Sequence, residues 1–170
     1  MLKNLFKKVS HQFEIVPHVG ILPVRLGMTR EEVEQVMRTH GHRPSSQCRS
    51  NSYGVIDYFI ENSFQVSSDL AGRVNFIGIS PHPEFSVTLH GKDVFRNDSE
   101  TIFRHIQKIS GGDYLAYNSN DHLFRDLILT LYDADEQYDR WKERFPVWAE
   151  IGIGNEAYLA SVDAIDSKYT

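Results

Sequence analysis

The eight histidines are the first side chains to examine for chemistry, because imidazole binds zinc and transfers protons. His40 and His42 form one compact pair, and the others are scattered along the chain. A zinc site needs three or four convergent ligands at helical or knuckle spacing, and the chain contains no HExxH motif. Cys48 is the single cysteine and stands in the polar stretch SSQCRSN, which is typical of a loop. We therefore expect helix-end and loop histidines, with no metal and no cofactor.

Other catalytic patterns are equally poor. No serine stands in a G-x-S-x-G elbow, and no glycine-rich phosphate loop precedes a helix signal, because Gly154 ends a strand pattern. The run that starts at Asp133 resembles the beginning of a calcium loop, but Tyr138 occupies the position of the required glycine. Paired carboxylates for glycoside hydrolysis can be recognised only from geometry. The sequence thus names no catalytic residue, and we expect that the protein is not an enzyme.

One segment, YDADEQYDRWKERF at 132–145, combines carboxylates with aromatic rings. Aromatic side chains supply contact area at protein interfaces, while carboxylates steer and pair with a basic partner. The same segment is also compatible with a solvated charged hairpin whose rings fold back onto a sheet. The candidate partner-binding residues are Asp133, Asp135, Glu136, Tyr138, Asp139 and Trp141.

The chain of 170 residues has a formal net charge of −5, and its acidity is concentrated in the last third. Residues 1–112 hold 13 basic and 11 acidic side chains, whereas residues 113–170 hold 5 basic and 12 acidic ones. Nucleic acid is therefore not an expected partner, since phosphates are bound by basic surfaces. No apolar run reaches the roughly 18 residues of a membrane span, and no secretory signal is recognisable. Together with the single cysteine, these features indicate a cytoplasmic bacterial protein that does not bind membranes.

The stretch VRLGMTREEVEQVM at 24–37 has the pattern of a strand, a tight turn and a capped helix. Thr29 and Glu32 have the spacing of a capping box, and Met28 and Val33 that of a hydrophobic staple. The pattern predicts a helix at about 30–39 that stops at Gly41.

The same order recurs at 87–109, where Asn97 or Asp98 caps a second predicted helix at about 98–109. The apolar residues Val33, Val36, Met37, Ile102, Phe103 and Ile106 form the buried faces of the two helices. Leu2, Leu5 and Phe6 predict a further short amphipathic helix at the N-terminus.

Between and after these helices, apolar residues recur at every second position, as is typical of strands. Aromatic and β-branched runs at 53–60, 63–69, 73–80 and 85–91 predict an antiparallel meander, because their links are too short for parallel crossovers. Runs at 122–133 and 147–154 follow the second helix. The segment 76–79 parallels 150–153, which suggests a divergent internal repeat.

The repeat defines the predicted architecture. We expect a single α+β domain over 1–170, built from two tandem helix-plus-antiparallel-strand units at about 20–84 and 85–156. They form a broad twisted sheet with helices on one face, a short N-terminal helix and a C-terminal tail. The second unit is longer by ten residues within 134–146, which predicts a long hairpin loop or extension.

The phrase LGMTREEVEQVM at 26–37, followed by alternating strands and a repeated helix, resembles two groups of proteins. One has the tandem helix-plus-sheet repeat of secreted β-lactamase inhibitor proteins and of small outer-membrane assembly lipoproteins. The other comprises small cytoplasmic bacterial proteins, some of which look like immunity proteins of polymorphic or contact-dependent toxin systems. The chain lacks the disulfides of the inhibitors and the signal of the lipoproteins, so no functional residue carries over. The resemblance implies a binding scaffold.

These observations favour an immunity protein that neutralises a cognate bacterial toxin. The expected partner is a basic domain of that toxin, and the expected mechanism is stoichiometric occlusion of its surface. Two other classes remain open. One is a structural or assembly adaptor that uses the same sheet for a different partner. The other is an enzyme whose dispersed histidines and aspartates converge only in three dimensions.

Overall fold

The computed structural model describes residues 11–50, 54–112, 115–138 and 144–169. This part of the chain is α+β, with three helices and two sheets. The helices are α1 (Arg30–Thr39), α2 (Ser99–Ile109) and α3 (Glu156–Tyr169). The strands are β1 (His11–Val16), β2 (Gly20–Leu22), β3 (Val24–Arg25), β4 (Pro44–Ser50), β5 (Gly54–Phe59), β6 (Phe64–Ser68), β7 (Val74–Ile79), β8 (Phe85–Leu89), β9 (Lys92–Asp93), β10 (His122–Phe124), β11 (Leu129–Tyr138) and β12 (Arg144–Gly154).

Helix α1 begins and ends where its sequence predicts. The Thr29 hydroxyl accepts a hydrogen bond from the Glu32 amide at 3.2 Å, and the Thr29 amide donates to the Glu32 carboxylate at 2.7 Å. The capping box is therefore confirmed. After His40 the chain turns through Gly41 at φ +82°, a conformation that glycine adopts without steric cost.

Helix α2 is also confirmed, with Asp98 as its cap. The Asp98 carboxylate accepts from the Thr101 amide at 2.9 Å, and the helix ends one residue before Ser110 takes an extended conformation. Five of the six apolar side chains predicted to be buried are buried, and Val36 is partly buried.

The larger sheet has seven strands in the order β10-β11-β12-β7-β6-β5-β4. Its centre is the antiparallel pair β7–β12, in which Gly78 faces Gly152 and isoleucines face isoleucines on either side. The two Ile-Gly-Ile segments that the sequence equates thus lie side by side. The division of the chain into two tandem units stays a prediction.

The smaller sheet has five strands in the order β3-β2-β1-β8-β9, and its presence corrects the predicted meander. Strand β8 does not continue the antiparallel ladder of β5, β6 and β7 but pairs in parallel with β1. Two prolines, Pro81 and Pro83, stand between β7 and β8, and proline has no amide hydrogen with which to extend a ladder. Parallel pairing is possible because β1 comes from far earlier in the chain.

Two further predictions were wrong. The polar stretch around Cys48 is the edge strand β4, whose described side chains are exposed, so no alternation of burial marks it. The predicted C-terminal tail is α3, capped by Asn155, whose side chain accepts from the Tyr158 amide at 3.1 Å. Most of α3 is exposed, and its sequence therefore lacks a strong apolar stripe. The predicted N-terminal helix lies outside the described residues.

The core lies between the two sheets. The Phe13 ring of β1 is 5.1 Å from that of Phe64 in β6, measured between centroids. Helix α1 reaches the larger sheet through Arg30 and Asp57, and α2 does so through a hydrogen bond from the Trp148 indole. Helices α1 and α2 and the smaller sheet thus cover one face of the larger sheet, the inner face. Helix α3 packs on the opposite face, the outer face.

Candidate functional site

The predicted extension is a two-stranded arm formed by the far ends of β11 and β12. Strand β12 pairs with β7 only from Ile151 to Gly154. From the pair Tyr132–Glu150 outward to the pair Tyr138–Arg144, β12 is paired with β11. We call this segment, residues 132–138 and 144–150, the arm; it is roughly 20 Å long at about 3.3 Å per residue.

The arm carries the predicted partner-binding residues, as far as the structure describes them. Asp133 and Asp135 are exposed in β11. Asp133 has φ +35°, and its amide donates to the carboxylate of Asp121 at 3.1 Å. Glu136 and Tyr138 belong to β11, but their side chains lie outside the described part of the structure, as do Asp139 and Trp141 altogether. Two of the six predicted side chains are thus seen at the protein surface.

The base of the arm is anchored in the core. Trp148 is fully buried, and its indole nitrogen donates to the backbone carbonyl of Ser99 at 3.0 Å. The hydroxyl groups of Ser99 and Tyr117 lie 2.8 Å apart and share a hydrogen bond. A buried polar group that has a hydrogen-bond partner stabilises the fold. The Trp148–Ser99 hydrogen bond therefore holds the base of the arm against the start of α2.

At the same base, on the outer face, lies a partly buried carboxyl group that sequence reasoning missed. Glu150 accepts a hydrogen bond from the Gln65 amide at 3.1 Å, and the two side chains meet above Gly78. A Cβ atom at Gly78 would lie 2.7 Å from the Gln65 nitrogen and 2.8 Å from the Glu150 carboxyl carbon. Burial raises the pKa of Glu150 to about 7. A glycine inside a strand often marks such a close approach, and Gly78 was the signal available in the sequence.

Two tyrosines flank this carboxyl group. Tyr132 stands opposite Glu150 on β11 and is 54% exposed. Tyr158 comes from α3 and stacks on Phe76 with 4.6 Å between ring centroids. Burial, and then the negative charge of Glu150, raise the pKa of the Tyr158 phenol.

Tyr158 and Phe76 also line an apolar groove between α3 and the outer face. The groove has a volume of about 740 Å³. Val162 and Ile165 of α3 line one side, and Leu70 of the β6–β7 turn is 72% exposed at its rim. The exposed edge cysteine, Cys48, lines the same groove and is a free thiol. Tyr158 therefore lies between this apolar groove and Glu150.

Three of the histidines meet in a different place. His11, His40 and His42 line a cleft of about 700 Å³ beside β1, and the rings of His11 and His42 are 4.5 Å apart. Burial, and the nearby charges of other histidines, lower the pKa of His42, which favours its neutral form. Among the described residues, no three His, Cys, Asp or Glu side chains are placed to hold a metal ion.

No protein-family model, no curated protein sequence and no solved structure matches this chain. Within the described part of the chain, every helix is too short or too polar to cross a membrane.

Proposed function

We propose that the protein is a non-enzymatic binding protein of the immunity type, which neutralises a cognate bacterial toxin by covering its surface in a stoichiometric complex. The arm is the contact element, and the partner is a basic protein domain. The observation that carries the proposal is the anchored arm with exposed carboxylates at Asp133 and Asp135.

The distribution of charge supports a basic partner. Residues 113–170 contain 12 acidic and 5 basic side chains, and the arm belongs to this segment. Opposite charges accelerate association because they attract over distances comparable to the Debye length, about 10 Å at 0.1 M salt. A toxin that acts on nucleic acid presents a basic surface to its substrate, and an acidic arm placed on that surface blocks access.

The anchoring of the arm supports occlusion. A partner-binding element that is already ordered loses little conformational entropy on binding. The buried Trp148 and its hydrogen bond to Ser99 order the base of the arm before any partner arrives. The rings of Tyr138 and Trp141 are the proposed hydrophobic anchors.

The test is co-expression with the product of the neighbouring gene, followed by binding kinetics. The variant changes Asp133, Asp135, Glu136 and Asp139 to their amides. We expect slower association and a flatter dependence on salt, with little change in the melting temperature, because exposed charges contribute about 1 kcal/mol or less. Replacing Tyr138 or Trp141 by Ala should instead accelerate dissociation.

A matched control changes four exposed carboxylates elsewhere, Glu14, Glu31, Glu100 and Glu156, and so alters the net charge equally. This control should retain protection and most of the association rate. Full protection by the arm variant, at unchanged affinity and salt dependence, would place the interface elsewhere on the protein. If the wild-type chain gives no protection against the product of the neighbouring gene, the proposed immunity function is wrong.

A further inference from the structure

Glu150 occupies a position where a carboxyl group is costly without a charged partner. It is partly buried on the outer face at the base of the arm, and its one hydrogen bond within the described residues comes from the neutral amide of Gln65. A carboxylate can accept about four hydrogen bonds, and burying its charge with few of them made is unfavourable. Within the described residues, Gln65 alone donates to Glu150, and the protein leaves its remaining acceptor positions to solvent or to a partner.

Among the residues that the structure describes, the groups that face Glu150 do not supply a cation. Gln65 approaches from β6, Tyr132 from β11 and Tyr158 from α3. An amide and two phenol groups cannot carry a positive charge. The nearest arm residues with exposed carboxylates, Asp133 and Asp135, add negative charge beside the site.

Part of the Glu150 side chain stays open to solvent, where a planar cation can reach it. The positions above Gly78 and Gly152 are already occupied by the side chains of Gln65, Glu150, Phe76 and Thr130, so no further group fits there. The ring of Tyr132 is 54% exposed on the next strand and offers a face for stacking. A guanidinium group stacks on aromatic rings and pairs with both oxygens of a carboxylate, whereas an ammonium group does neither as well.

We infer that Glu150 is the acceptor for an arginine side chain of the protein partner, which docks on the outer face at the base of the arm and stacks against Tyr132. This inference rests on the proposed binding function and extends its surface from the arm to the sheet. The arginine completes the hydrogen bonding of the carboxylate and removes it from water. Binding is then coupled to loss of a proton, because the pair requires the ionised carboxylate.

The first test measures partner affinity of the full chain with Glu150→Gln, which keeps the shape and removes the charge. We expect affinity to fall by at least about tenfold, since truncating one side of a desolvated charge pair is costly. Wild-type affinity should rise as pH increases from 5.5 toward 7 and then level off, and the variant should lack this rise. Glu14→Gln, an exposed strand glutamate on the smaller sheet, is the control and should leave both affinity and pH dependence unchanged.

The second test needs no protein partner. N-acetyl-arginine amide is titrated into the full chain labelled with ¹³C at glutamate carboxyl carbons. The neutral N-acetyl-citrulline amide serves as control. We expect the arginine compound, and not the citrulline one, to shift the Glu150 resonance and lower its midpoint pH. The same titration of Glu150→Gln should show no corresponding shift.

The outcomes separate the two proposals. Neutralisation of the toxin by Glu150→Gln at unchanged affinity, with no response of Glu150 to the arginine compound, overturns the arginine site and leaves the immunity function standing. A response to the arginine compound in a chain that protects against no neighbouring toxin overturns the immunity function instead. Equal responses to both compounds show that the site does not select for charge, which also overturns the inference.

Discussion

Arg30 at the start of α1 and Asp57 in the middle of β5 are joined by two hydrogen bonds, of 2.7 and 2.8 Å. Asp57 is 8% exposed and also accepts a hydrogen bond from Gln47 of the edge strand. This bidentate ion pair connects the capped helix to the larger sheet and to its exposed edge. The hydrogen bond with Asp57 raises the pKa of the Arg30 guanidinium, which therefore keeps its positive charge.

The first prediction follows from that pair. Arg30→Gln should lower the free energy of unfolding by about 2–3 kcal/mol, because it removes a bidentate charged contact from a buried carboxylate. Arg38→Gln is the control, since Arg38 pairs with Glu34 at the surface and should cost less than about 1 kcal/mol. Urea unfolding of both variants measures the difference. Equal decreases in the free energy of unfolding would show that the Arg30–Asp57 pair stabilises the protein no more than a surface ion pair does.

The second prediction concerns the buried face of α2. Ile106 is fully buried, and Ile106→Ala should cost about 2–5 kcal/mol through lost burial and a residual cavity. Leu70→Ala removes a similar volume from a side chain that is 72% exposed and should cost far less. A loss below 1 kcal/mol for Ile106→Ala, about the size of a surface effect, would contradict the packing of α2 described above.

The third prediction concerns the stability of the free protein against pH. The pKa of Glu150 rises from 4.5 to about 7 on folding, so the folded state holds a proton that the unfolded chain releases. Stability due to this group is present below pH 4.5 and is lost as pH rises toward 7. Glu150→Gln removes the titration. Its stability relative to wild type should therefore increase by about 2–3 kcal/mol between pH 4.5 and pH 8.

Denaturant unfolding of both proteins across that pH range measures the difference, in which the contributions of all other groups cancel. A constant difference at every pH would show that Glu150 titrates normally. That result would also weaken the case for a partner cation at this position.

The fourth prediction concerns the cleft lined by His11, His40 and His42. No three potential ligands among the described residues are placed to hold a metal. We expect less than one zinc per chain after dialysis against a weak chelator, measured by elemental analysis. Triple substitution of these histidines by Gln is the control if zinc is found, and retention of zinc by that variant would place the ligands elsewhere.

The elements that sequence reasoning located correctly have local signals. Thr29 and Glu32 begin α1 through hydrogen bonds that span three residues, and Asp98 does the same for α2. The tight turn at 69–72 closes through the Gly72 amide and the Asp69 carbonyl, 3.0 Å apart. Such contacts depend on neighbouring residues alone, and a reader of the sequence can recognise them.

The elements that were missed are those whose surroundings come from distant parts of the chain. Strand β4 is polar and exposed, and only its pairing with β5 makes it a strand. Strand β8 alternates like its neighbours, but its partner β1 lies about 70 positions earlier in the chain. Helix α3 has a cap at Asn155 but no pronounced apolar stripe, because most of its residues are exposed to solvent.

The candidate site also has one part that the sequence predicted, the arm, and one part that it did not, Glu150. The ten additional residues of the second unit predicted an extension near 134–146, and the paired arm is found there. The importance of Glu150 was not predictable, since the Gln65 amide that binds it is 85 positions away. Glu150 looks like any solvent-facing glutamate in an alternating strand until β6, β7 and α3 are placed around it.

The sequence by itself determined where α1 and α2 start, which runs alternate as strands and where the chain carries its excess of negative charge. These properties arise from interactions within a few residues, or from composition. The tertiary structure alone decided which sheet each strand joins, which face α3 covers and which carboxyl group loses its solvent. The physical reason is that pairing and desolvation depend on groups that the fold brings together from distant positions, and burial changes the free energy of a charge far more than its sequence neighbours do.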